Sequence, residues 1–205
     1  MAVGTYALVS LDELKEYAGI NSSDHDGLLE KIVNRTTSLF ESSTRRKLKA
    51  RDYSYDPDDA AYDPDNAVLN GNDRDRISLP QYPVNSIATL KVNDMEIDER
   101  ETIYSCGWVI EDRAAGIVTL SCYIFTKGLK NIELAYNAGF STVPDDLYEA
   151  CLEQAAWFFK QSPAGANLLG VAAKNLPDGS ISYTTKDLLP YVQRRLNHYK
   201  KRFVT

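Results

Sequence analysis

The amino-acid sequence predicts an α+β protein, a small antiparallel helical bundle with a β-rich insertion between its second and third helices. Three observations carry that prediction. Apolar residues recur at helical spacing near both ends of the chain. The middle switches to short runs of period two, bounded by Pro, Gly, Asn and Asp. A chain of 205 residues that is 43% hydrophobic also buries a sizeable core without help from disulfides or metals. The expected division is 1–47 for the first part of the helical domain, 48–140 for the insertion, and 141–205 for the second part, with an arm and a terminal helix.

Ser10 and Glu13 have the spacing of a capping box, so Leu11 to Ala18 is expected to be a short helix, ended by Gly19. A second helix is expected from near Asp24 to about Lys47, because Leu28, Leu29, Ile32, Val33, Thr36, Leu39 and Phe40 form one apolar stripe. The period-two region offers strands at Arg51 to Tyr55, Arg76 to Leu79, Ile87 to Val92, Ile103 to Tyr104, Trp108 to Glu111, Ile117 to Leu120 and Asn131 to Tyr136. Pro57 to Asp75 is Asp-rich and is expected to be an exposed loop. Pro144 suits a helix start, Asp145 and Asp146 meet the positive end of the dipole, and the helix should run to Gln161. Ala166 to Lys186 is rich in small and polar residues, with Ile181 and Tyr183 alternating as in a hairpin or extended arm, and is expected to be mobile in isolation. A last helix, Asp187 to about Phe203, tolerates Pro190 because that residue falls in the first turn.

Composition narrows the classes of function. No stretch approaches the ~20 apolar residues of a membrane span, and Met1 to Ser10 lacks the basic start and apolar run of a signal peptide. Cytosolic synthesis and no membrane partner are therefore expected. The net charge of -6 hides an asymmetry. Arg45, Arg46, Lys47, Lys49 and Arg51 precede Asp52, Asp56, Asp58, Asp59, Asp63 and Asp65, and Arg194, Arg195, Lys200, Lys201 and Arg202 close the chain with no acid after Asp187. That basic end permits contact with DNA phosphates or with an acidic partner, while the overall acidity argues against a dedicated DNA binder.

The residues of reaction chemistry are sparse. Cys106, Cys122 and Cys151 are an odd number with no CxxC pair, so spacing supports neither a disulfide framework nor a zinc site, and all three are expected to be small buried side chains. His25 and His198 lie near opposite ends of the chain. Ala138, Gly139 and Phe140 precede a proline-started helix without a GxGxxG or Walker pattern, and no serine sits in a GxSxG elbow. The acid pairs Asp58 and Asp59, Asp98 and Glu99, and Asp145 and Asp146 are expected to be solvated. No catalytic residue, cofactor or metal is assigned. Tyr53, Tyr55, Tyr62 and Tyr82 cluster beside acids, where they serve strand packing or, on the rival view, partner contact and sugar stacking.

Four stretches in this order resemble the head-tail connector family of tailed phages, which includes head completion and adaptor proteins. They are Leu8 to Lys15, the helix Leu28 to Arg46, the run NIELAYNAGFSTVPDD from Asn131 to Asp146, and the helix Leu189 to Tyr199. Each is made of packing and capping residues, so the specificity lies in their order. The resemblance implies a structural virion protein and not an enzyme. It implies a homo-oligomeric ring, commonly dodecameric, beneath the portal protein and above a tail-side neck or stopper protein, with DNA passing through its channel without sequence-specific binding. It also implies assembly in the host cytoplasm and a place in the virion neck. Leu176 to Thr205 would dock on the portal, with Leu188, Leu189, Val192, Arg194, Arg195, Leu196, Tyr199, Lys200 and Arg202 as the docking residues. Leu28, Ile32, Leu39, Phe40, Leu152 and Phe159 would pack subunits together. The long 48–139 region departs from shorter family members, so carry-over is least secure there. Two other classes compete: a DNA-binding packaging factor using Arg45 to Arg51 and the basic terminal helix, and a carbohydrate-binding tail module centred on the Tyr-rich insertion.

Overall fold

The first helix, α1 (Leu11–Ala18), has the capping box written in its sequence. Glu13 N–H donates to Ser10 Oγ, Ser10 N–H donates to Glu13 Oε2, and Gly19 closes the helix in the left-handed region at φ 68°. Helix α2 (Asp26–Thr44) ends at Arg45, which adopts φ 57°. Buried threonines inside α2 are satisfied locally, since the Thr36 and Thr44 hydroxyls donate to the carbonyls of Ile32 and Phe40. The computed structural model describes residues 2–165, 173–176, 179–182 and 187–201.

From Arg46 the chain enters a second compact unit, Arg46–Thr142, while Met1–Arg45 and Val143–Lys201 form the first. Its elements are β1 (Arg51–Ser54), the single turn α3 (Pro64–Ala67), β2 (Val68–Gly71), β3 (Arg76–Ser78), β4 (Val84–Val92), β5 (Met95–Glu96), β6 (Gly107–Asp112), β7 (Ile117–Ser121) and β8 (Gly128–Ala138). Strand β8 is central to a five-stranded antiparallel sheet, with β4 on one edge and both β1 and β2 on the other. Strands β3, β7 and β6 form a second antiparallel sheet. Alternation along β8 sends Ile132, Leu134, Tyr136 and Ala138 inward, where they meet Leu90 and Val92 of β4 and Trp108, Val118 and Leu120 of the second sheet in one core.

The first unit resumes with α4 (Asp145–Gln161), whose first turn carries Asp145 and Asp146 after Pro144. Next come the antiparallel pair β9 (Ala173–Leu176) and β10 (Gly179–Ser182), and last α5 (Pro190–His198). Helix α4 packs against α1, α2 and α5, burying Leu147, Cys151, Leu152 and Ala155 against Leu14, Leu29 and Val33.

Several expectations are corrected. The protein is mainly β-rich, with five helices, two larger antiparallel sheets and the β9–β10 pair among the described residues, and is not a small helical bundle with one insertion. Helical periodicity is a loud signal over many residues, whereas β2 and β5 are strands only because β8 and β4 lie beside them. The expected strand Ile103 to Tyr104 is a turn, and the expected loop Pro57 to Asp75 holds α3 and β2. Helix α2 stops three residues early because Arg45 turns left-handed, and α5 is confined to Pro190–His198. Cys106 and Cys122 are exposed and joined as a disulfide, so only Cys151 is the small buried side chain expected. The mobility expected of Ala166 to Lys186 concerns positions largely outside the described residues, as does Tyr183 of the expected arm.

The AGF run closes the β unit. Gly139 N–H donates to Pro83 O, Phe140 N–H to Leu48 O, and Ala50 N–H to Phe140 O, so the segments that enter and leave the unit lie side by side. Gly139 takes φ 114°, and a Cβ there would lie 2.7 Å from the Lys49 carbonyl carbon and oxygen. Gly139→Ala is expected to destabilise the protein by about 2 kcal/mol or more, through backbone strain and that clash, read as a lower urea midpoint.

Candidate functional site

The terminal helix α5 is the element on which the sequence places most of its interaction residues. It is held by its own apolar side and by a buried amide. Val192 and Leu196 are fully buried in the helical unit. Gln154, buried on α4, accepts from Leu189 N–H at 3.0 Å and donates to Asp187 O at 3.1 Å, so one side chain satisfies both polar groups of the strand-like lead into α5. Leu188 and Leu189 are half-buried there. Arg195 faces α4, with Nη1 3.3 Å from Asp146 O and 3.5 Å from Glu149 Oε2, and the Tyr199 hydroxyl donates to Asp146 Oδ1.

What α5 presents to solvent therefore includes Gln193, Arg194, Asn197 and His198, followed by exposed Lys200 beyond its end, and none of these is a carboxylate. Lys201 N–H donates to Thr44 O at 2.9 Å, which sets the end of the chain's basic run beside Arg45 at the C-terminus of α2. The hydrogen bond that joins those two basic runs has no local signal in the sequence. Arg202 lies outside the described residues. Of the nine docking residues inferred from sequence, Val192 and Leu196 are structural in the isolated chain, whereas Arg194 and Lys200 are at the surface.

The residues expected to pack subunits divide similarly. Ile32, Phe40 and Leu152 belong to the core of their own helical unit. Leu28, Leu39 and Phe159 are half-buried, and the Phe159 ring lies 6.0 Å from that of His25.

Electrostatics within this unit favour neutral phenols and a neutral thiol. Burial, then the charge of Glu13, pushes the Cys151 thiol up to about 12. Burial, then a hydrogen bond to Glu153 and its charge, raises Tyr191, and burial followed by Glu13 raises Tyr148. In the β unit, burial is the first cause raising Tyr136, whose hydroxyl donates to Asn66 O and whose ring stacks on Tyr53 at 5.1 Å. None of these groups is tuned toward proton transfer near neutrality. Among the described residues no group of three or more His, Cys, Asp or Glu side chains is placed to hold a metal ion.

The rival surfaces lose residues. Arg46, expected in a phosphate-binding run, is buried, with its guanidinium 3.7 Å from the Tyr82 ring centroid and donating to Tyr82 O. Tyr53 and Tyr82 are buried, and Tyr55 lies under Lys91 at 4.7 Å, so Tyr62 alone of the four clustered tyrosines is exposed.

At the end of the helical unit, Arg194 and Lys200 are exposed on and just after α5. A family model described as head completion protein matches residues 7–201. The chain belongs to the head completion protein family. A search of curated proteins gives no match. Among solved structures, the fold is similar to a chain in the neck of an empty GTA particle computed with C6 symmetry, at 18% identity and TM-score 0.59, covering 100% of this chain and 95% of that one. It is also similar to a chain in the neck of a native GTA particle computed with C12 symmetry, at 18% identity and TM-score 0.58, covering 100% and 94%. A third likeness, to a chain in the virion of the native gene transfer agent particle, has 17% identity and TM-score 0.58 over 100% and 95%.

Two outcomes are expected for the helical unit. Gln154→Leu keeps the bulk but strips the Leu189 N–H and Asp187 C=O of their partner, so the urea midpoint should fall by the equivalent of about 1–3 kcal/mol. An unfolded thiol ionises near 9.0 while folded Cys151 does so at about 12. Its contribution to stability is therefore full below pH 9 and is lost from there to about 12, as the unfolded chain releases a proton that the folded chain keeps. Buried tyrosines act with the same sign above their ordinary 10.0. Urea midpoints should stay level with respect to these groups up to pH 9 and fall beyond it, with Cys151→Ala removing the thiol part of the slope.

Proposed function

We propose that this chain forms a homo-oligomeric ring in the neck of a phage-like particle, beneath the portal, and extends the DNA channel toward a tail-side neck or stopper protein. The observation that carries the reading is the family match over residues 7–201. The likeness to chains from GTA necks computed with C6 and C12 symmetry supports a ring, with dodecameric order as the working stoichiometry. In this reading the particle is assembled in the host cytoplasm and the protein is a structural part of the virion.

Within that assembly the exposed face of α5 docks on the portal. Arg194 and Lys200 supply charge to the contact, while Val192 and Leu196 fix the helix on its own subunit. Leu28, Leu39 and Phe159, half-buried in the free chain, pack against the neighbouring copy. DNA passes without sequence-specific contact, consistent with an excess of six acidic charges over the whole chain.

The test is light scattering after size-exclusion chromatography, on the chain alone and mixed with its portal protein, followed by negative-stain imaging. A ring, alone or on the portal, is expected. A chain that stays monomeric in both conditions sinks the reading. Replacing Arg194 by Glu should weaken portal association at least about tenfold and leave the thermal midpoint unchanged, since the residue is exposed.

A further inference from the structure

Strands β6 and β7 are paired so that Gly107 faces Ser121 and Trp108 faces Leu120. One step beyond the pairing, the same register sets Cys106 opposite Cys122, with Cα atoms 5.3 Å apart, within the span a cystine requires. The alignment is made by the sheet, whose inward side chains Trp108, Val118 and Leu120 belong to the core. The two sulfurs are therefore presented to each other before any bond exists. Both cysteines are exposed, so a small oxidant reaches them, whereas Cys151 is buried with a thiol pushed up to about 12.

Position decides what the bond controls. After Arg100, whose N–H donates to Trp108 O, the chain leaves the sheet and turns back at Cys106. Residues 101–105 bond only within their own turn: Thr102 N–H donates to Ser105 Oγ, Ser105 N–H donates to Thr102 O, and Arg100 donates to the carbonyls of Thr102 and Ile103. Among the described residues, they make no hydrogen bond or ion pair beyond 100–105. The turn carries Ile103 and Tyr104, 74% and 90% exposed. The cystine is thus the tie between this turn and the end of β7, where Cys122 takes φ 67°.

We propose that Cys106 and Cys122 form a redox-gated clasp, open as a dithiol in a reducing cytosol and closed by a low-molecular-weight disulfide once the particle leaves it, fixing the 101–105 turn to β7. The change of compartment rests on the virion reading above, because a chain retained in the cytosol meets no such oxidant. In the closing reaction one cysteine thiolate attacks glutathione disulfide, forming a mixed disulfide and releasing one glutathione. The second cysteine thiolate then attacks the protein sulfur of that mixed disulfide and releases the other glutathione. Two protein thiols become one cystine, one glutathione disulfide becomes two thiols, and the two protons pass to the released glutathiones.

The experiment uses the full chain, purified in reductant, desalted, and exposed to glutathione disulfide. Alkylation and mass spectrometry locate the thiols, and limited chymotrypsin digestion follows cleavage after Tyr104. The expected result is a Cys106–Cys122 cystine, an unmodified Cys151, and cleavage after Tyr104 slowed at least about tenfold relative to the reduced chain. The variant with both Cys106→Ser and Cys122→Ser should be cut at the reduced rate whatever the oxidant. Persistent glutathione adducts without closure, or a cystine that leaves the cleavage rate unchanged, overturn the clasp. Portal association is scored separately: a chain that closes but never joins the portal removes the virion reading and its change of compartment, while one that joins without closing removes the clasp alone.

Discussion

The pairing of β8 is the constraint on which the β unit depends. Its eleven residues are long enough to satisfy β4 along one edge while β1 and β2 share the other, each taking a different half of the strand. Strict alternation puts Ile132, Leu134, Tyr136 and Ala138 on one face, and a slip of one residue in any of these pairings would turn that face to water. The short partners gain their conformation from this template. Asn131 reinforces the register at the far end, accepting from Gly71 N–H and donating to Asn93 Oδ1 and Thr126 O.

In the helical unit the equivalent role falls to α4, which touches α1, α2 and α5. Its buried face includes one polar residue, Gln154, and that exception positions the terminal helix. The apolar side of α5 is consumed in attachment, with Val192 and Leu196 buried, while Gln193, Arg194, Asn197 and His198 stay exposed on its other side.

Features governed by neighbours in sequence were legible in the sequence. Ser10, Glu13 and Gly19 delimit α1 by local capping chemistry, and Pro144 with its two following aspartates starts α4 where expected. Features governed by distant partners were not. Val68–Gly71 has no strand pattern of its own, and Arg46 reads as a surface cation until Tyr82 and Phe140 are folded around it. The disulfide was within reach: Cys106 lies two residues before the expected strand start at Trp108, and Cys122 two residues after the expected end at Leu120, so a hairpin between those strands sets them opposite. Counting cysteines missed it, whereas placing them on paired strands finds it. In α5, helical periodicity shows which residues share a face without showing that Val192 and Leu196 are already buried in their own unit.

The hydrogen bonds that join Leu48 and Ala50 to Phe140, and Gly139 to Pro83, close the chain's path through the β unit at its neck. Polymer statistics make such a closure consequential. Once the two ends are pinned, the entropic cost of the intervening path grows only logarithmically with its length, and that cost is met at the pinning contacts. Loops between the strands of this region can gain or lose residues without altering the distance between the points where the chain departs and returns. The left-handed glycine of the AGF run, where a Cβ has no room beside Lys49, holds that point of closure whatever the length of the loops beyond it.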